Sequence, residues 1–172
     1  ADKGKEVELV TEGAATELDK TVIERLDDPL VHLLRNSIDH GIESPDEREN
    51  AGKSRQGKIV FSAEHSGGNV IITIADDGRG IDPEAVRTKA IEKGLLAAEA
   101  VPDEKTLLKL IFEPGFSTAA RISDMSGRGV GMDVVKQNIT ALRGKVRVTS
   151  EKGVGTTIRM TIPLTLAIID GL

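Results

Sequence analysis

The strongest constraint on the fold is a pair of short strand-like segments with glycines between them. Lys58–Glu64 and Asn69–Ala75 read as strands, and Gly67-Gly68-Asn69 joins them. A tight glycine turn between two such runs makes an antiparallel hairpin, because its residues can adopt the positive φ that follows the strands' own twist. The second strand, Val70-Ile71-Ile72-Thr73-Ile74, runs straight into Asp76-Asp77-Gly78-Arg79-Gly80. The hairpin therefore delivers carboxylates and glycines to one strand end. His65 sits beside the turn and reads as an exposed loop histidine.

Three more segments alternate and read as strands: Lys5–Val10, Lys145–Ser150 and Thr156–Ile162, the last two joined by Gly153-Val154-Gly155. Helical patterns lie between the strands. Asp19 reads as the cap of a helix through Val22, Ile23 and Leu26. Asp82-Pro83 opens a helix carrying Val86, Ala90 and Ile91, and Gly94 ends it. Leu95–Phe112 reads as partly amphipathic helix, broken at Pro114-Gly115-Phe116-Ser117-Thr118. Met132, Val135, Ile139 and Leu142 mark a last helix with Gly144 as its cap. Ser44 to Gly57 is polar and loop-like with room for a short helix, and its charges read as solvated.

Composition narrows the function classes. The 172 residues, 38% hydrophobic and 30% charged, can bury one domain core. Aromatics are three Phe only, so that core is aliphatic and a stacking platform for single-stranded nucleic acid is missing. A formal charge of -5 offers no dominant basic patch for nucleic acid. Without Cys there is no disulfide, thiol nucleophile or cysteine metal site, which fits the cytosol. No apolar run is long enough to span a membrane, and no signal-peptide pattern is present. The chain starts mid-pattern and ends on the apolar Leu166-Ala167-Ile168-Ile169-Asp170-Gly171-Leu172, so we expect a piece of a larger protein.

The chemistry concentrates in His32-Leu33-Leu34-Arg35-Asn36-Ser37-Ile38-Asp39-His40-Gly41. At roughly 100° per residue, His32, Arg35, Asn36, Asp39 and His40 share an arc of roughly 140°. Leu30, Val31, Leu33, Leu34 and Ile38 take the other side. Pro29 suits the helix start, and Gly41 reads as a left-handed stop. The polar side holds imidazoles, a carboxamide and a guanidinium, groups that ligate metals, move protons and hold phosphate. The plainer reading is a capped amphipathic helix with an unusual polar face.

Three glycine motifs follow. Asp76-x-Gly78-x-Gly80 ends a strand, where the backbone can turn sharply and approach a ligand. Its ionised carboxylate accepts hydrogen bonds only, which suits an exocyclic amino group such as adenine's. The plainer reading is an ordinary strand-end turn. Gly127-x-Gly129-x-Gly131 opens a helix and bares backbone N–H groups to an anion. Its spacing is not that of a dinucleotide fingerprint, and no Gly-Lys-Ser/Thr phosphate loop is present. Gly153-x-Gly155-Thr156 reads equally as a hairpin turn.

Taken in order, these residues resemble the nucleotide-binding domain shared by histidine kinases, gyrase, Hsp90 and MutL. Arg35–Glu43 and Ser126–Val135 resemble the chemotaxis histidine kinases within that family. His32 stands four residues before Asn36, where typical sensor kinases and the ATPases carry a carboxylate. The resemblance implies an α/β sandwich, with a mixed, mostly antiparallel sheet and helices on one face. It implies a catalytic domain over residues 1–163 and, at 164–172, the start of a linker to a coupling domain.

Its further implications concern the site. ATP lies between the polar helix and a lid at roughly Leu96 to Gly127. Asp76 takes the adenine amino group, with Thr156 beside it, and Asn36 ligates Mg²⁺. Arg35, His40 and Lys89 are candidates for phosphate contact. Gly127, Gly129 and Gly131 let the lid backbone close on the phosphates. Asp39, Gly78, Gly80, Phe116, Ser117, Arg128 and Met132 complete the ATP-binding set. His32 is the catalytic position, acting on the incoming nucleophile. The three histidines of the chain all lie in the pocket or the hairpin, so the phosphoacceptor belongs to a separate histidine phosphotransfer domain of the same parent protein. The resemblance also implies dimerisation and coupling domains in that parent. Response regulators, a coupling protein and chemoreceptors are implied as indirect partners, in the cytoplasm beneath the inner membrane. Nucleic acid and direct membrane contact are not expected. A competing reading is an ATPase of the same fold that drives a conformational cycle, and a third is a non-catalytic module. Histidine at position 32 disfavours the former, and the complete motif set disfavours the latter.

Overall fold

The computed structural model describes residues 5–12, 24, 26–116 and 132–163. The expected helix start at Asp19, Ser117, the Gly127-Arg128-Gly129-Val130-Gly131 turn and the tail at 164–172 lie outside the described residues.

Five strands are described: β1 (Val7–Glu12), β2 (Gly57–Ser66), β3 (Asn69–Asp76), β4 (Lys145–Glu151) and β5 (Gly155–Pro163). They form one sheet in the order β1-β2-β3-β5-β4. β1 pairs with β2 in parallel, and the other three pairings are antiparallel. The β2–β3 turn carries Gly67 and Gly68 at φ 54° and 83°, the conformation a two-residue hairpin demands.

The α-helices among the described residues are α1 (Asp27–Asn36), α2 (Pro45–Asn50), α3 (Pro83–Glu92), α4 (Glu104–Lys109) and α5 (Met132–Ala141). Strand side chains alternate between faces, so Val70, Ile72 and Ile74 of β3 share one face with Ile158, Met160 and Ile162 of β5. Leu30 and Leu33 of α1 and Val135 and Ile139 of α5 close over that face as the main core. Val86, Ala90, Leu107 and Phe116 form a second, smaller core between α3, α4 and the turn that follows.

Several local expectations are corrected. The helix does not stop at a left-handed Gly41. After α1 the backbone widens into a π turn over Ser37–Gly41, closed by Ile42 N–H donating to the Ser37 carbonyl at 2.8 Å. Lys5 Nζ donates to the freed Ile38 and Asp39 carbonyls at 2.8 and 2.7 Å, so the widened turn keeps its backbone satisfied. Only the end of Leu95–Phe112 is helical. Asp103 caps α4 by accepting from Thr106 N–H at 2.8 Å, and a 3₁₀ turn follows over Leu110–Phe112. Upstream, Arg87 binds the Ala98 and Ala100 carbonyls, supplying the donors a helix would have supplied. His65 is exposed but lies within β2, opposite Val70. At the end of α5 the left-handed residue is Arg143, at φ 60°. Gly144 is needed for space instead, since a Cβ there would lie 2.7 Å from the Thr161 carbonyl oxygen.

Candidate active site

Asp76 continues the alternation of Val70, Ile72 and Ile74, so the pleat turns its carboxylate toward the helix-covered face. Thr156 is its partner across β5. Gly78 N–H donates to Asp76 Oδ1 at 2.9 Å. Burial pushes the Asp76 carboxyl above its ordinary pKa, and the negative Asp77 adds to that push. Hydrogen bonds from the Gly78 and Thr156 backbones and the Ser37 hydroxyl oppose it. A carboxylate at the end of an apolar row, half-buried yet furnished with donors, is built to accept a hydrogen bond from something polar.

Gly78 and Gly155 let this end of the sheet close on its neighbours. A Cβ on Gly78 would sit 2.1 Å from the Gly41 carbonyl oxygen, and one on Gly155 2.0 Å from that of Asp76. Gly78 thus brings the Asp76 turn against the end of the π turn, where Arg79 N–H donates to Gly41 O at 2.8 Å. Gly80, at φ 72°, packs under the β4–β5 turn against Glu151.

The polar side of α1 holds a second group. His32 Nε2 and Asn36 Nδ2 lie 3.3 Å apart, and the same amide nitrogen reaches Met132 Sδ at 3.7 Å. The Asn36 carboxamide oxygen takes part in neither contact. Burial, then the nearby charges of Arg35 and His40, hold the His32 pKa below its ordinary value. The ring is therefore neutral at pH 7, and a neutral ring nitrogen can accept a proton. Arg35 and His40 are exposed and Asp39 is half-buried. Lys89 Nζ lies 4.8 Å from the centre of the Phe116 ring, which is buried in the second core. Among the described residues no group of three or more His, Asp or Glu gathers as a metal cage.

One cluster was missed in the sequence, because the charges of residues 44–57 read as solvated. Arg48 is 1% exposed. Its guanidinium reaches Glu43 Oε1 at 3.0 Å, the Asp77 carbonyl and side chain at 3.1 Å each, and the Ser54 carbonyl. Lys53 Nζ binds Glu43 Oε2 at 2.7 Å, the Gly78 carbonyl at 2.7 Å and the Asp77 carbonyl at 3.1 Å. Burial alone would raise the Glu43 pKa, but the Lys53 hydrogen bond and both cations bring it below its ordinary value. A signal was present in Ser44-Pro45-x-Glu47, a capping box with proline in the first turn. It fixes α2, and α2 turns Arg48 inward.

The profile of the histidine kinase-, DNA gyrase B-, and HSP90-like ATPase family matches residues 25–166. The chain belongs to this family. Within it, chemotaxis protein CheA of Salmonella typhimurium is 54% identical over 169 residues, which are 98% of this chain and 25% of the relative. CheA of Rhizobium meliloti is 52% identical over 169 residues, 98% of this chain and 22% of the relative. The chain thus spans about a quarter of the length of these curated relatives. The fold is that of the family's kinase members. The catalytic domain of the histidine kinase ThkA matches with TM-score 0.53 and 20% identity, over 91% of this chain and 78% of that one. Full-length ShkA, solved with AMPPNP, matches with TM-score 0.56 and 21% identity, over 94% of this chain and 26% of that one. No helix among the described residues is long and apolar enough to cross a membrane.

Proposed function

We propose that this domain binds ATP between the polar side of α1 and the Asp76 end of the sheet, and passes the γ-phosphoryl to a histidine on a separate phosphotransfer domain. The observation that carries the reading is Asp76, a half-buried carboxylate turned to the helix-covered face at the strand end and oriented by the Gly78 N–H at 2.9 Å. Adenine's exocyclic amino group is such a ligand in an ATPase family. Arg35, His40 and Lys89 are the side chains offered to phosphate. Gly127, Gly129 and Gly131, with Arg128, offer backbone N–H groups to it.

Asn36 suits Mg²⁺. The ion keeps much of its water and binds substrate phosphates, so one carboxamide oxygen, with no carboxylate cage among the described residues, fits it. When bound it supplies charge neutralisation on the phosphates. His32 is the residue for the acceptor. Its neutral ring can orient the acceptor imidazole or take its proton, while transfer itself needs positioning more than covalent help. Hydrolysis would call for a carboxylate at position 32 to act on water. The parent protein would supply the phosphotransfer, dimerisation and coupling domains, the last reached through 164–172. Response regulators, a coupling protein and chemoreceptors would follow in the cytoplasmic signalling path.

The test is His32→Gln, which keeps polarity but takes no proton near neutral pH. ATP binding should persist and phosphotransfer fall by about 10²–10⁴. Near-normal transfer in a variant that binds ATP and melts normally would remove His32 from the reaction.

A further inference from the structure

The Asp77–Gly78 peptide has both ends occupied. Its N–H points at Asp76 Oδ1, 2.9 Å away. Its carbonyl, that of Asp77, receives Arg48 Nη1 and Lys53 Nζ, each at 3.1 Å. Lys53 also holds the next carbonyl, that of Gly78, at 2.7 Å. The same two cations are anchored by the two oxygens of Glu43, just past the π turn. Asp77 fixes the strand end from the other side, accepting Lys58 N–H at 2.8 Å and Arg48 Nη2 at 3.1 Å.

We infer that Lys53, with Arg48, is a positioning residue for purine recognition: it holds the Asp77–Gly78 peptide so that its N–H orients Asp76 toward the exocyclic amino group of the base. A trans peptide presents its N–H and C=O to opposite sides. Two cations on the carbonyl thus fix where the N–H points, and they polarise the peptide so that this N–H donates more strongly. Gly78 has no side chain to restrict rotation of the turn, and the contacts with the carbonyls join the Arg79 N–H bond to Gly41 in doing so. Glu43 ties this arrangement to the chain just beyond α1, so the purine end and the polar helix are set by one cluster. The inference rests on the proposed role of Asp76.

Lys53→Met is the direct variant, because Lys53 is the more exposed of the two cations and Arg48 stays to pair Glu43. The affinities to compare are those for ATP and for purine riboside triphosphate, which is ATP without the amino group. The wild-type chain should prefer ATP by about 10-fold or more. Lys53→Met should lose most of that preference while its affinity for the amino-free analogue holds. Lys53→Arg, which can reach the same carbonyls, should restore it. Should Lys53→Met not accumulate as folded protein, Lys53→Gln, with one donor group and no charge, should show a partial loss. An unchanged preference, or equal loss of both ligands, would make Lys53 structural only and overturn the inference. A wild type that does not distinguish the two ligands would instead overturn the role of Asp76 itself.

Discussion

Asp76 occupies the position that Val70, Ile72 and Ile74 would lead one to fill with another aliphatic side chain. Burial raises its pKa, so its ionised form is held at a cost. Asp76→Asn removes that cost and keeps one acceptor for the turn, so the ligand-free chain should melt close to the wild type. The charge-assisted bond to adenine is lost, at about 1.5–3 kcal/mol. Calorimetric titration should show ATP bound about 10- to 150-fold more weakly, whereas unchanged affinity in a folded variant would remove Asp76 from the site. His32 makes a separate prediction about pH. Its folded pKa lies below the unfolded value of about 6.5. Between those two values the unfolded chain binds more protons, so stability rises with pH across that window. The contribution is complete above about 6.5 and fades as pH falls to the folded value. Denaturant melts at about pH 7.5 and about pH 5 should therefore show a larger acid loss in the wild type than in His32→Gln. Equal losses would contradict a depressed His32 pKa.

At the scale of elements, the site is a junction between the end of β3 and the π turn after α1, with Gly78 at the contact. Gly78→Ala would drive a Cβ into the Gly41 carbonyl oxygen, backbone against backbone, and should cost about 1–3 kcal/mol and most of the ATP affinity. Gly94→Ala is the control. Gly94 has φ 76° and open space around it, so it should cost about 1 kcal/mol with binding intact. Equal effects on binding would mean that the junction does not shape the site. Much of this was legible in the sequence. Alternation gave the strands, the glycine pair gave the hairpin, and the run from Ile74 to Gly80 marked the strand end that matters. The rest depended on tertiary partners. The π turn owes its carbonyl partners to Lys5, far off in sequence. Leu95–Val101 escapes its helical pattern with Arg87 binding the Ala98 and Ala100 carbonyls. Arg48 reads as a surface charge until Glu43, Asp77 and Ser54 surround it, and periodicity says nothing of such long-range pairing.

At the scale of the molecule, one sheet carries Asp76 and Thr156 at its end, and the helices over one face carry His32 and Asn36. The larger of the two cores fixes that relation. It joins α1 and α5 to β2, β3 and β5, so the helix face and the strand end share one packed core. In the proposed function the acceptor comes to this site from a separate domain, with His32 and His40 assigned to the site itself and His65 lying within β2. The most direct measurement is transfer itself. The chain is mixed with ATP labelled at the γ-phosphate, Mg²⁺ and the histidine phosphotransfer domain of the same parent protein, and both acceptor and free phosphate are followed. The account predicts acid-labile label on the acceptor, dependent on the chain and greatly reduced with Asp76→Asn or His32→Gln. Label released as free phosphate with the acceptor unmarked would contradict it, and would make the domain an ATPase.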